Sequence, residues 1–158
     1  MKRINGLVGV LVLFQAGFAP SQKLPITITI TTPATSVRRD TAVRIDVSVT
    51  NVSHHSIDIT RSPGQPEAAN RLMVYDTKGR LLPRLSTAPD GGSLIGGVPL
   101  EPDKSIVDSF IANNYVDLGK PGTYRIQVFH QEMLLDEKKH KVRESITPSN
   151  SLTIVVTK

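Results

Sequence analysis

The stretch LGKPGTYRIQV, Leu118–Val128, joins a Pro-Gly pair to a strict alternation of apolar and polar side chains. Tyr124, Ile126 and Val128 fall on one side of an extended chain, and Arg125 and Gln127 on the other. A period of two is what a strand with one buried face requires. Pro121-Gly122 supplies a turn immediately before it. The same period recurs elsewhere in the chain. ITITITT sets Ile26, Ile28 and Ile30 against threonines, and AVRIDVSVTN sets Val43, Ile45, Val47 and Val49 inward with Arg44, Asp46, Ser48 and Thr50 outward. NVSHHS is the turn that follows, and IDIT places Ile57 and Ile59 inward. RLMVYDTKGRLL reads as two short strands around Asp76-Thr77-Lys78-Gly79, with glycine supplying the positive φ that ends such a turn. KSIVDSFI is a further strand of ambiguous facing, and Leu152–Val156 closes the series.

No stretch of helical length shows three-four apolar spacing with caps. Seven or eight short strands and no helix predict an all-β fold, a Greek-key sandwich of two sheets. In such sandwiches a tyrosine at the start of the penultimate strand folds back over the preceding turn. Its ring fills the edge of the core, and its hydroxyl bonds a backbone group a few residues upstream. The expected corner comprises Pro121 and Gly122 as the turn, Tyr124 as the latch and Leu118 packed beneath it.

VSVTNVSHHSIDI, MVYDTKGRLL, LEPDKS and DLGKPGTYRIQV occur in the order seen in bacterial immunoglobulin-like sandwich domains. There a strand ending in Asn-x-Ser precedes a second strand, an Asp-x-x-Gly hairpin, a Leu-x-Pro-Asp turn and a Pro-Gly-Thr-Tyr corner. TPSNSLTIVVT is similar to their last strand. The chain most resembles secreted bacterial domains of unassigned role and, more loosely, the bacterial intracellular-type proteinase inhibitor family. The resemblance implies an immunoglobulin-like fold. Its motifs are turn and core positions, which say little about function.

The first residues stand apart. Met1-Lys2-Arg3 is basic, Ile4–Phe14 is apolar, and QAGFAPSQ is rich in small residues. That order is a cleavable secretory signal peptide, too short to be a stable membrane anchor. Residues 1–21 are therefore expected to be the leader and 22–158 the immunoglobulin-like domain, periplasmic or extracellular. Loss of Lys2 and Arg3 takes the formal charge from +5 to +3. The remaining basic residues are scattered and the aromatic content is only 4%, which argues against nucleic acid, whose single strands need stacking platforms. There is no cysteine, so disulfides, thiolate chemistry, cysteine-based zinc sites and a lipoprotein anchor are excluded.

Candidate sites are few. His54 and His55 are adjacent in a turn and point to opposite sides of an extended chain, a poor pair of metal ligands; His130 and His140 lie far along the sequence. No metal or cofactor is expected. Asn51-Val52-Ser53 matches the N-glycosylation acceptor pattern and equally the ordinary use of Asn and Ser in a turn, the reading adopted here. Gly92 and Gly97 have phosphate-loop spacing, but Val98 stands where lysine is required. Ser93 lacks a nucleophile elbow, because Ile95 replaces its second glycine. Leu94 and Ile95, on this glycine-hinged connection, are candidate contact residues, as are Pro63 and Pro66 in the stiffened RSPGQPEAAN. Gln131–Ser145 reads as a long hairpin with a solvated basic tip at Lys138, Lys139 and Lys141; an anion-binding tip is the alternative.

No pair of acids and no serine, histidine and aspartate set has a recognisable catalytic context. The expectation is a non-enzymatic exported domain that binds another envelope or secreted protein through its end loops or an edge strand. ITITITT would be one acceptor if it lies at an edge. The alternative is a proteinase inhibitor that presents Arg61–Asn70 or the glycine-rich loop to a protease.

Overall fold

The computed structural model describes residues 24–61, 69–86, 95–136 and 141–158, with the side chains of 95–96, 133–136 and 141–143 excepted. The alternating stretches form strands: β1 (Ile26–Thr31), β2 (Ser36–Arg38), β3 (Arg44–Asn51), β4 (Ile57–Arg61), β5 (Asn70–Tyr75), β6 (Ile95–Leu100), β7 (Ser105–Ile111), β8 (Gly122–Asp136), β9 (Lys141–Pro148) and β10 (Leu152–Thr157). The only helical element among the described residues is a 3-10 turn at Ala112–Asn114.

One sheet runs β1-β3-β7 and the other β2-β10-β8-β5, while β4 and β6 form a separate two-stranded ribbon. In the lettering of immunoglobulin domains β1, β3 and β7 occupy positions A, B and E, and β5, β8 and β10 positions C, F and G. β2 runs parallel to β10 as the displaced second half of the first strand. The chain is an all-β, immunoglobulin-like Greek-key sandwich. It has ten described strands where the sequence suggested seven or eight. The excess comes from the short β2, from β6 in the glycine-rich connection, and from β9, which pairs with the far half of an unusually long β8.

The inward rows supply the core. Ile26, Ile28 and Ile30 of β1 and Ile45, Val47 and Val49 of β3 face Tyr124, Ile126 and Val128 of β8 and Ile154 and Val156 of β10, all buried in one cluster. Each such aliphatic contributes about 1.5–3 kcal/mol relative to an exposed side chain. KSIVDSFI, ambiguous by sequence, buries Phe110 and exposes Val107. RLMVYDTKGRLL yields one strand rather than two: after the Gly79 turn (φ 74°) only an isolated bridge, Tyr75 to Leu81, continues the pairing.

Asparagine side chains stand in for backbone where strands end. The Ile30 N–H donates to Asn150 Oδ1 at 2.7 Å, and Asn150 Nδ2 donates to the Ile30 carbonyl at 3.2 Å. Val43 N–H donates to Asn113 Oδ1 at 2.7 Å. Asn51, fully buried, donates through Nδ2 to the carbonyls of His55 and Leu100 and accepts from the N–H and hydroxyl of Ser53. Its amide nitrogen, the atom that a glycan would occupy, is thereby committed to holding the β3–β4 turn against β6. Ile28 also forms a parallel bridge to Ser149. The outer edge of β1 is therefore occupied by the protein's own chain at Ser149 and Asn150, and ITITITT is not an open acceptor there.

At the opening stretch, the Tyr124 hydroxyl donates to the Lys120 carbonyl at 2.7 Å, and the ring sits in the core with Leu118, itself 2% exposed. Gly122 is not in the turn: it opens β8 opposite Val156. The bend falls at Lys120, just before Pro121. Burial pushes the Tyr124 phenol above its usual value of 10, and Asp117 and then Asp76 add to the shift. The unfolded chain therefore ionises this phenol first, so its contribution is complete below about pH 10 and is lost as pH rises through the folded value. Tyr124→Phe is expected to cost about 1 kcal/mol and Tyr124→Ala about 3–5 kcal/mol in urea unfolding. Tyr124→Phe should also lose part of the alkaline decline in stability.

Candidate functional site

The sequence NRLMVYDTKGRLLPRL, Asn70–Leu85, builds a cleft along β5. Asn70, Leu72 and Val74 point inward, leaving Arg71, Met73 and Tyr75 on the outer face, where Arg125 of β8 stacks on Tyr75 at 4.4 Å. The turn is set by Asp76. Its carboxylate accepts from the N–H groups of Lys78 and Arg80 at 2.8 and 3.0 Å and pairs with the Arg80 guanidinium. These contacts, led by the Arg80 N–H, hold the Asp76 carboxyl below its ordinary range. The returning chain then makes one ladder bond, Leu82 N–H to the Val74 carbonyl at 2.8 Å.

Pro83 ends that pairing, because it has no N–H to donate. The chain swings away from β5 toward the segment after β7, where Leu85 N–H donates to the Tyr115 carbonyl at 2.8 Å and Arg84 bridges to Val116. The divergence leaves a cleft of about 160 Å³. Leu72, Leu82 and Val116 form its apolar lining together with Met73 and Tyr115, Leu81 lies half exposed at its margin, and Arg71 and Arg84 line it with positive charge. Arg84 also lies over the Tyr115 ring at 5.4 Å, and Phe110 packs edge-on to that ring from within. Among the described residues that line the cleft none is acidic. Its volume is below the 300–1,000 Å³ typical of small-molecule sites, so it suits one or two side chains of a larger partner.

A second polar group lies in the interior. The inward row of β8 continues past Val128 into His130 and Glu132, both 2% exposed. His130 Nε2 is 2.8 Å from Glu132 Oε1, and its Nδ1 is 2.9 Å from Asn70 Oδ1. Glu132 Oε1 also accepts the Thr60 N–H at 2.7 Å, fastening β4 to β8. On β9, Thr147 stands opposite His130 and Ser145 opposite Glu132, both buried; the Thr147 hydroxyl has no partner among the described residues. Beside Thr60, Arg61 pairs with Asp108 of β7 at 2.7 Å. Nearly shielded from solvent, this arrangement acts as a polar clamp between the ribbon and the second sheet.

The other residues singled out from sequence fall as follows. His54 and His55 are exposed in their turn, far in sequence from His130. Among the described residues no group of three or more histidine, aspartate or glutamate side chains is placed to hold a metal. Gly97 is a strand residue of β6 beside β4, where a Cβ would approach Asp58 Cβ to 2.7 Å; close packing accounts for the glycine. Pro63, Pro66, Gly92, Ser93, Leu94 and His140 lie outside the described residues, as do Lys138 and Lys139, and Ile95 is described in backbone only. Arg71, Arg84 and Pro83 were missed by sequence reading. Their signal was present in the proline directly after the hairpin, which ends pairing and exposes an edge.

No protein family and no curated protein matches the sequence. Solved structures similar in fold include the crystal structure of the CARDB domain of a Pyrococcus furiosus protein, in complex with di-metal ions. It is 17% identical over 83% of this chain and 91% of that one, with a TM-score of 0.41. A solution structure of the same domain is 16% identical over 85% and 97%, with a TM-score of 0.43. Among the described residues no helix is long and apolar enough to cross a membrane.

His130→Ala removes one member of the clamp and leaves Glu132 and Asn70 buried without it. A loss of about 3 kcal/mol is expected in urea unfolding, with earlier amide exchange in β4 than in β10.

Proposed function

We propose that this chain is an exported, non-enzymatic immunoglobulin-like domain that binds another protein, and that the β5 cleft is its contact face. The observation that carries the reading is the arginine-lined apolar cleft at the point where Pro83 turns the chain away from β5. Aromatic and arginine side chains are enriched where proteins meet, and Tyr115, Arg71 and Arg84 come together here. The basic, apolar and small-residue order of residues 1–21 supports export through a cleaved leader. The non-enzymatic reading is supported by the burial of the histidine–glutamate pair and of the Thr147 and Ser145 hydroxyls beside it, all nearly shielded from solvent. The proteinase-inhibitor alternative would present Arg61–Asn70 or the glycine-rich loop, and residues 62–68 and 87–94 of these lie outside the described residues.

The test is site-specific photocrosslinking of the full chain in its host. A photoreactive residue at Leu81 on the cleft margin is expected to give a reproducible protein adduct in the envelope or medium. The same residue at Val155, exposed on β10, should give none. Equal labelling at both positions, or no adduct at Leu81, would contradict the reading.

A further inference from the structure

A hydrogen bond between His130 Nε2 and Glu132 Oε1, 2.8 Å apart, needs a proton between the two atoms. The contact of His130 Nδ1 with Asn70 Oδ1 at 2.9 Å needs another, on Nδ1, because an amide oxygen only accepts. A neutral imidazole carries one N–H, and an ionised carboxylate carries no proton. In those two forms ring and carboxylate hold a single proton, and one of the contacts sets a ring lone pair against an oxygen. Two protons satisfy both contacts, whether the second sits on the ring as an imidazolium or on the carboxyl. With it the pair has no net charge. Without it a negative charge is left in the interior, where both side chains are 2% exposed. Burying such a charge is costly.

The neighbouring elements supply no substitute countercharge. β5 contributes the Asn70 amide, β9 the buried hydroxyls of Ser145 and Thr147, and β1 and β10 aliphatic rows. On β4, Asp58 is exposed and Arg61 is paired with Asp108 of β7; Glu144 of β9 is exposed. Among the described residues His130 is the cation partner of Glu132. Glu132 Oε1 is also the atom that accepts the Thr60 N–H at 2.7 Å and so fastens β4 to β8. A carboxylate deprived of the shared proton either stays buried at high cost or turns toward water and releases that N–H. We infer that the second proton of the His130–Glu132 pair is a latch on the β4–β6 ribbon. With the proton in place the ribbon is docked on β8, and its loss as pH rises loosens the ribbon. The two groups titrate as a unit. The docked state binds one proton more than the open one, so opening becomes easier with rising pH, by at most about tenfold per pH unit.

Hydrogen exchange of the Thr60 amide reads the latch directly, as protection relative to an unstructured amide at the same pH. Between about pH 5 and 8, the range over which histidine ordinarily titrates, protection is expected to fall at least about threefold. The same fall is expected in a variant carrying His54→Gln, His55→Gln and His140→Gln, which leaves His130 alone of the four histidines. In Glu132→Gln the side-chain oxygen can still accept the Thr60 N–H but no titrating proton is shared, so protection should be level across the range. Urea unfolding shows whether Glu132→Gln is folded. If it is not, His130→Gln takes its place with the same expectation, and if neither folds the wild type and the triple variant decide. Level protection in the wild type or a fall that disappears in the triple variant would each overturn the inference. So would a fall that persists undiminished in a folded Glu132→Gln or His130→Gln.

Discussion

The inward row of β8 runs Tyr124, Ile126, Val128, His130, Glu132, and every one of these side chains is almost completely buried. A strand can be buried on one face along such a length only if each inward residue finds a partner of its own kind. The first three meet aliphatic residues of β1, β3 and β10. The last two are polar, and an unpartnered polar group in an interior costs about as much as a hydrogen bond is worth or more. They therefore require Asn70 and the Thr60 N–H in place, and that requirement fixes where β5 begins and where the β4–β6 ribbon lies against the second sheet.

From that arrangement follows the position of the cleft. β5 is held to β8 in register from Asn70↔His130 to Tyr75↔Arg125. Its other edge is covered at Val74 by the returning hairpin and left at Leu72 when Pro83 diverts the chain to Tyr115 and Val116. The opposite flank of the sandwich is treated differently. There Asn150 closes the edge of β1 with its own amide, a side chain acting as a one-residue strand. The edge of β1 is thus closed by the chain itself, in the way natural sheets limit exposed edges.

The fold was legible because the period of two is long and clean in ITITIT, RIDVSVTN and TYRIQV, where each inward position named from the sequence is buried. Register and edge status were not. The amide of Asn150 meets Ile30 across 120 residues of chain, and nothing local in SNS marks it. His130 and Glu132 fall in a stretch that reads as a charged hairpin. Only the pairing of β8 with β9 and β5 shows that they continue the buried row. The cleft was not legible for a related reason. Loops such as those of Leu94, Ile95, Pro63 and Pro66 stand out in a sequence by their glycines and prolines, whereas Arg71 and Arg84 become neighbours of one cleft only after the hairpin has folded.

The claim that β8 organises the sandwich is tested most directly by native-state amide hydrogen exchange. The account predicts that the amides of Ile126 and Val128 exchange only through global unfolding, with protection free energies equal to the stability measured in urea, while those of β2 exchange earlier. Exchange at Ile126 and Val128 as fast as at Val37, or through a local opening that leaves β1 and β3 protected, would contradict it.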